Sequence, residues 1–302
     1  MRSISLAVMS LALVVAGCSK EPSRTTEAPD VSGSAAGTAG TVKDGLEVLS
    51  EGTAPKRLLR YAVPKGTHTP IEMALDVDID AGIKQNAPTM VIGMDISVDD
   101  VTSDGKMTLR SEITGVTARD RPGAISAAML KGSLDLMTGT KMTAIVGPDG
   151  SFHDASLEVG PKTPPAMKEQ LSSMTGNLER VAMQLPKVPV GVGAKWRATK
   201  QLEQNGMNMT TTTTFEITAI DGDKISYKST VAVTGPDQTI STGGISAKIS
   251  SITGGGGGSG TIDLAKLALT GTHEVSFGAT MAAGGETTPL KTQMKLVLSP
   301  KS

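Results

Sequence analysis

Over much of this chain the apolar side chains recur at every second residue. Ile71, Met73, Leu75, Val77 and Ile79 alternate with Glu72, Ala74, Asp76, Asp78 and Asp80. In a pleated strand that spacing puts the oily groups on one face and mostly carboxylates on the other. The pattern returns in Met90, Ile92, Met94, Ile96 and Val98, in Met207, Met209, Thr211, Thr213, Phe215 and Ile217, and in Leu290, Thr292, Met294, Leu296 and Leu298. Strands with one wet face belong to antiparallel sheets. Pro64-Lys65-Gly66, Asp104-Gly105, Asp149-Gly150, Asn205-Gly206 and Asp221-Gly222 punctuate such runs with turn residues, so hairpins and meanders are expected.

Two segments follow a helical period instead. Met167, Leu171, Met174, Leu178, Val181 and Leu185 form one stripe, preceded by Thr163-Pro164-Pro165 as cap and first turn; this predicts an amphipathic helix over about 164–185. Asp120-Arg121-Pro122 with Ile125, Ala128 and Met129 suggests a short helix over about 121–131, ending near Gly132. A lone amphipathic helix lies most economically on the apolar side of a sheet. The fold class read here is therefore mainly β (α+β), with long antiparallel strands in a curved sheet or half-barrel. An internal echo, Gly132-Ser133-Leu134-Asp135-Leu136 against Gly260-Thr261-Ile262-Asp263-Leu264, suggests two related β-rich halves, 46–185 with the connecting helix and 186–300.

The first 45 residues read as an address and a tether. Arg2 precedes an apolar run from Ile4 to Val15 that is too short to span a bilayer. It ends in Val15-Ala16-Gly17-Cys18, which resembles a bacterial lipobox, so residues 1–17 are expected to be a lipoprotein signal peptide and Cys18, the only cysteine, the lipid attachment site. Several acyl chains on one cysteine would hold the protein at a membrane. From Ser19 to about residue 45 small and polar residues dominate, a composition that cannot offset its ordering entropy. About 25 such residues reach roughly 25 to 30 Å. Ser19 after the cysteine resembles the pattern that favours the outer membrane, at its periplasmic face or on the cell surface, over the inner membrane.

Composition excludes several functions. With 29 basic and 30 acidic residues in 302, and 2% aromatics, the chain has neither the basic excess of a duplex binder nor a stacking platform for single strands, so no nucleic-acid partner is expected. His68, His153 and His273 are scattered, and no cofactor or metal motif stands. Asp76-x-Asp78-x-Asp80 resembles the start of a calcium loop, but Gly82 comes one place late and Ala87 stands where the closing glutamate would be. Ser103-Asp104-Gly105-Lys106 has the S-x-x-K spacing in a turn rather than on a helix. Gly255-x-Gly257-x-x-Gly260 fits a dinucleotide fingerprint only because Gly254 to Gly258 are all glycine, and it reads as a flexible loop. No catalytic residue is assigned.

Methionine stands out, with 16 residues against six aromatics. A Met-lined concave sheet could take up an acyl chain or another apolar ligand. Its candidate lining is Met90, Ile92, Met94, Met167, Leu171, Met174, Leu178, Met207, Met209 and Met294.

The segment Leu185-Pro186-Lys187-Val188-Pro189-Val190-Gly191-Val192-Gly193-Ala194-Lys195-Trp196 carries a further signal, together with Pro64-Lys65-Gly66, Gly147-Pro148-Asp149-Gly150 and Gly260-Thr261-Ile262-Asp263-Leu264. Over roughly residues 50–298 these resemble an uncharacterised family of bacterial envelope lipoproteins, a domain of unknown function. The resemblance implies a β-rich exported domain and no assigned activity. In architecture alone the expected fold resembles the half-barrel lipoprotein carriers and lipid-binding lipoproteins of the bacterial envelope. Two functions remain open: a non-enzymatic, membrane-tethered lipoprotein that binds an apolar ligand such as lipid, or a structural or adaptor lipoprotein that meets an envelope protein through a sheet edge or the glycine-rich stretch. An enzyme is the third and least supported reading.

Overall fold

A computed structural model describes residues 45–160, 163, 183–204, 207–242 and 245–301. Among them fourteen strands form one antiparallel sheet. The strands are β1 (Gly45–Ser50), β2 (His68–Asp80), β3 (Lys84–Asn86), β4 (Thr89–Val101), β5 (Met107–Arg119), β6 (Lys141–Val146), β7 (Phe152–Glu158), β8 (Lys195–Gln204), β9 (Met207–Asp221), β10 (Lys224–Gly235), β11 (Gln238–Thr242), β12 (Ile245–Asp263), β13 (Ala268–Ala283) and β14 (Glu286–Pro300). The main path runs β1-β8-β9-β10-β12-β13-β14-β2-β4-β5-β6-β7, with β3 beside β2 and β11 beside β12. Two meanders are thus fused where β14 pairs with β2, while β1 crosses to the edge of the second meander.

The sheet is strongly curled. Consecutive residues of one segment bond to strands far apart on the path: the Tyr61 amide donates to Pro148 O, after β6, and the Ala62 amide to Leu264 O, after β12. Six inter-strand steps separate β12 from β6, a gap of about 29 Å in a flat sheet. Only a bend brings both within reach of adjacent amides. The edges do not close into a barrel. At one end two extended segments cross the seam, tied by Arg57 to Val190 and by the Leu185 amide to Asp149 O.

Three apolar clusters pack on the concave face. At the closed end Leu59, Val63, Val98, Val146, Trp196 and Ile225 belong to one core drawn from both sides of the curl. At the opposite end β11 folds over Met207, Met209, Ile249 and Ile252. The helix α1 (Ala127–Asp135) covers Ile92 and Val116 with Leu130 and Leu134. The convex face is polar, with ion pairs such as Lys295–Glu274 at 2.9 Å and Lys195–Glu216 at 3.3 Å. Apolar inside and charged outside is the inverse of a transmembrane barrel. Among the described residues no helix is long and apolar enough to cross a membrane, which says nothing of strands.

The mainly β, antiparallel, curved architecture expected from the alternation is present, with four local corrections. The short helix starts at Ala127, not 121, because Ser126 is the cap, accepting from the Ala128 amide, and Asp120 accepts from the Ala127 amide. It also runs through Gly132, since Leu130 and Leu134, one turn apart, both need cover. Consequently the echo at 132–136 is helical where 260–264 ends a strand. The run before the Pro64-Lys65-Gly66 turn is not a strand: residues 57–63 form the extended plug of the closed end. The glycine run, expected as a loop, is the middle of a central strand, hydrogen-bonded to β10 on one side and β13 on the other. The helix expected over 164–185 lies outside the described residues except its last positions: Met183 to Leu185 are extended, not helical.

Candidate functional site

Between the closed end and the β11 end, the concave face carries a belt of half-covered apolar residues. Register defines it across six strands: Thr213 opposite Val231, Val231 opposite Gly256, Gly256 opposite Val275, Val275 opposite Met294, and Met294 opposite Val77. Met294 is 37% exposed, and the rest are half-buried apart from exposed Gly256. Five inter-strand steps make the belt about 24 Å long. In the adjoining row Gly254, Phe277 and Ile79 are half-buried, whereas Val233 and Thr292 are buried. A cleft of about 340 Å³ touches that adjoining row at Gly254 and Phe277 and extends away from the belt to Thr253, Thr280 and Lys291. A second, of about 450 Å³, lies among Lys195, Thr214, Glu216, Lys228 and Ser259 of the convex face and reaches Ser229 and Gly258, the register pair beside the belt.

The floor of the belt is bare backbone. A Cβ built on Gly256 would lie 2.0 Å from Glu274 O, and one on Gly258 2.4 Å from His273 Nδ1. Contacts that short never occur, so β12 must be glycine here for β13 to approach. The missing side chains also let rings from both neighbours meet over the strand. Tyr227 on β10 and His273 on β13 stack with centroids 5.9 Å apart. Tyr227 Oη lies 3.0 Å from His273 Nε2, and Ser229 Oγ lies 3.3 Å from Nδ1. Ser229 and Tyr227 are buried. Desolvation lowers the His273 pKa and pushes Tyr227 up to about 12, so both are neutral near pH 7. This bridge forms one margin of the belt, since Ser229 opposite Gly258 is the register pair next to Val231 opposite Gly256.

The expected lining residues fall in three places. Met294 lies in the belt. Met90, Ile92 and Met94 pack beneath α1, and Met207 and Met209 lie in the core at the β11 end. Met167, Leu171, Met174, Leu178 and the lipid-attachment candidate Cys18 lie outside the described residues. Sequence reasoning missed Tyr227, Ser229 and His273. The available signal was a serine and a tyrosine at apolar positions of an alternating strand, opposite a glycine run. Trp196 is a core residue, wholly buried, stacked on Phe215 at 5.4 Å and donating Nε1–H to Gln184 O at 3.0 Å. The carboxylate row of β2 holds the loop before α1: Arg121 donates to Asp78 at 3.0 Å and to Ala87 O at 3.1 Å. Among the described residues no group of three or more His, Cys, Asp or Glu could hold a metal ion.

Fold and face together define a class: an incomplete β-barrel lined with apolar side chains and open along a central belt. A model of a family of unknown function (DUF6263) matches residues 165–266, which include β8 to β12. No curated protein and no solved structure matches the chain.

Proposed function

We propose that this protein is a membrane-tethered bacterial envelope lipoprotein, anchored through Cys18 and non-enzymatic, whose open belt holds an apolar ligand such as lipid. The observation that carries the reading is the belt itself. Half-covered Val231, Val275, Met294 and Val77 lie along one row about 24 Å long, whereas apolar exposure on ordinary surfaces is scattered. Exposed apolar area of this kind marks a binding surface, and Met294 with half-buried Val77, Val231 and Val275 supplies walls that fit a flexible chain. The lipobox and tether supply the location. Ser19 after the cysteine favours the outer membrane, and a tether reach of roughly 25 to 30 Å lets the body work clear of the head groups. The adaptor alternative has less to draw on, because the glycine-rich stretch is a paired central strand rather than a free edge.

Native mass spectrometry of the full chain extracted from its membrane tests the reading. Lipid is expected to co-purify with the wild type and to be lost from Val275→Asp, whose side chain would place a charge in the belt. A wild-type protein that repeatedly carries no lipid overturns the reading. Crosslinking in intact cells to one dominant protein partner through the belt would favour the adaptor.

A further inference from the structure

The hydrogens of the Tyr227–His273–Ser229 bridge do not balance. A neutral imidazole carries one N–H, and the two hydroxyls carry one hydrogen each. Three hydrogens thus serve two contacts. If Tyr227 donates to Nε2, then Nδ1–H donates to Ser229, and the serine hydrogen is left over. If Ser229 donates to Nδ1, then Nε2–H donates to Tyr227, and the phenol hydrogen is left over. In either tautomer a hydroxyl on a side chain more than nine-tenths buried has no acceptor among the described residues. A buried donor without a partner is costly. Of the two, Ser229 lies beside the belt, two residues from Val231 on the same face of β10, and also borders the cleft of about 450 Å³.

We infer that the belt takes a single-chain amphiphile whose head presents an acceptor oxygen, a carboxylate or ester carbonyl, to the Ser229 hydroxyl, with the acyl chain lying across β12, β13 and β14 towards Val77. This deepens the apolar-ligand reading and rests on it. Binding selects the tautomer in which Tyr227 donates to Nε2, Nδ1–H donates to Ser229, and Ser229 donates to the ligand. No carboxylate or lysine lies in the belt row from Thr213 to Val77, so recognition comes from one hydroxyl in apolar surroundings. There an uncompensated acceptor or donor discriminates most strongly.

The test uses the full-length chain held in polymer nanodiscs from its own membrane, with four photoreactive probes. These are two palmitic acids bearing a diazirine near the carboxyl or near the tail, a lysophospholipid with the same tail diazirine, and a headless hexadecane that carries a diazirine. Peptide mapping should place the head-proximal label on β10 or β13 beside Ser229 and His273, and the tail label on β14 or β2. A variant that keeps the shape but removes the polarity, Tyr227→Phe with Ser229→Ala and His273→Phe, should lose palmitate labelling about tenfold, as expected for one well-placed hydrogen bond. Its hexadecane labelling should be unchanged. Labelling by both acid and lysophospholipid supports the inference with the ester carbonyl as sufficient acceptor; labelling by the acid alone supports it with the carboxylate. If head and tail labels coincide, or hexadecane labels the wild type as well as palmitate does, the head-group inference is overturned while the apolar reading stands. If no probe labels the belt, both fall. The mapping on wild type decides the matter without the triple variant.

Discussion

The two ends of the concave face are built from different side chains. Of six aromatics, Tyr61, Phe152, Trp196, Phe215 and Tyr227 lie in or against the core at the closed end. Met107 and Met183 join them there, but most of the clustered methionines gather elsewhere: Met207, Met209 and Met281 at the β11 end, and Met73, Met90, Met94 and Met137 under α1. Rings are rigid and fix distances, whereas unbranched thioethers fill irregular space and repack at small cost. Shape is therefore set at the aromatic end, where the plug segment pins the curl. The belt, bordered by methionine, valine and bare glycine backbone, adapts to what lies on it. Phe277, the remaining aromatic, borders the belt and forms no part of the closed-end core.

That contrast can be broken by mutation, most severely at the closed end. Trp196→Ala removes a wholly buried ring, its stack on Phe215 and its hydrogen bond to Gln184. It should cost about 3–5 kcal/mol in urea unfolding of the full chain. A loss below that range would mean that the aromatic core does not hold the curl. Next comes the belt floor. Gly256→Val places carbon atoms where Glu274 O already lies and should cost about 1–3 kcal/mol while separating β12 from β13. Hydrogen exchange at the β12–β13 amides checks this, and unchanged protection would disprove the close approach.

The smallest expected effect is one of pH. Burial depresses the His273 pKa below its ordinary value of 6.5, so the unfolded chain takes up that proton first as acid is added. The contribution of His273 to stability is therefore complete above about pH 6.5 and is lost as the pH falls below it. The unfolding midpoint of the wild type should decline below pH 6.5 more steeply than that of His273→Phe. Parallel declines would show that the imidazole is not desolvated, and the bridge would lose its argument.

Much of the fold was legible from residues alone, and the reasons are local. Alternation over Ile71–Ile79 and Leu290–Leu298 needed only the pleat to become paired strands with one apolar face. Asp104-Gly105 and Asp149-Gly150 turned where expected because Gly105 and Gly150 adopt positive φ. Gly254 to Gly258 misled, because isolated glycine favours loops and only neighbouring strands can compensate for the missing side chains. Asp120-Arg121-Pro122 placed the short helix too early, because the cap is Ser126, six residues after Asp120. Of the candidate site, the Met-rich apolar face was readable and the Tyr227–His273–Ser229 bridge was not, since His273 is 46 residues from Tyr227 and carries no motif.

By itself the sequence determined which side of the alternating strands would be oily and which wet, since a two-residue period survives any arrangement of the strands. It also determined where the hairpins turn. Tertiary structure alone decided how far the sheet curls, that β14 closes on β2, and which of the apolar residues stay half-open to become a belt. Those outcomes depend on register and on what packs over each face, and both are properties of strands brought together from distant parts of the chain.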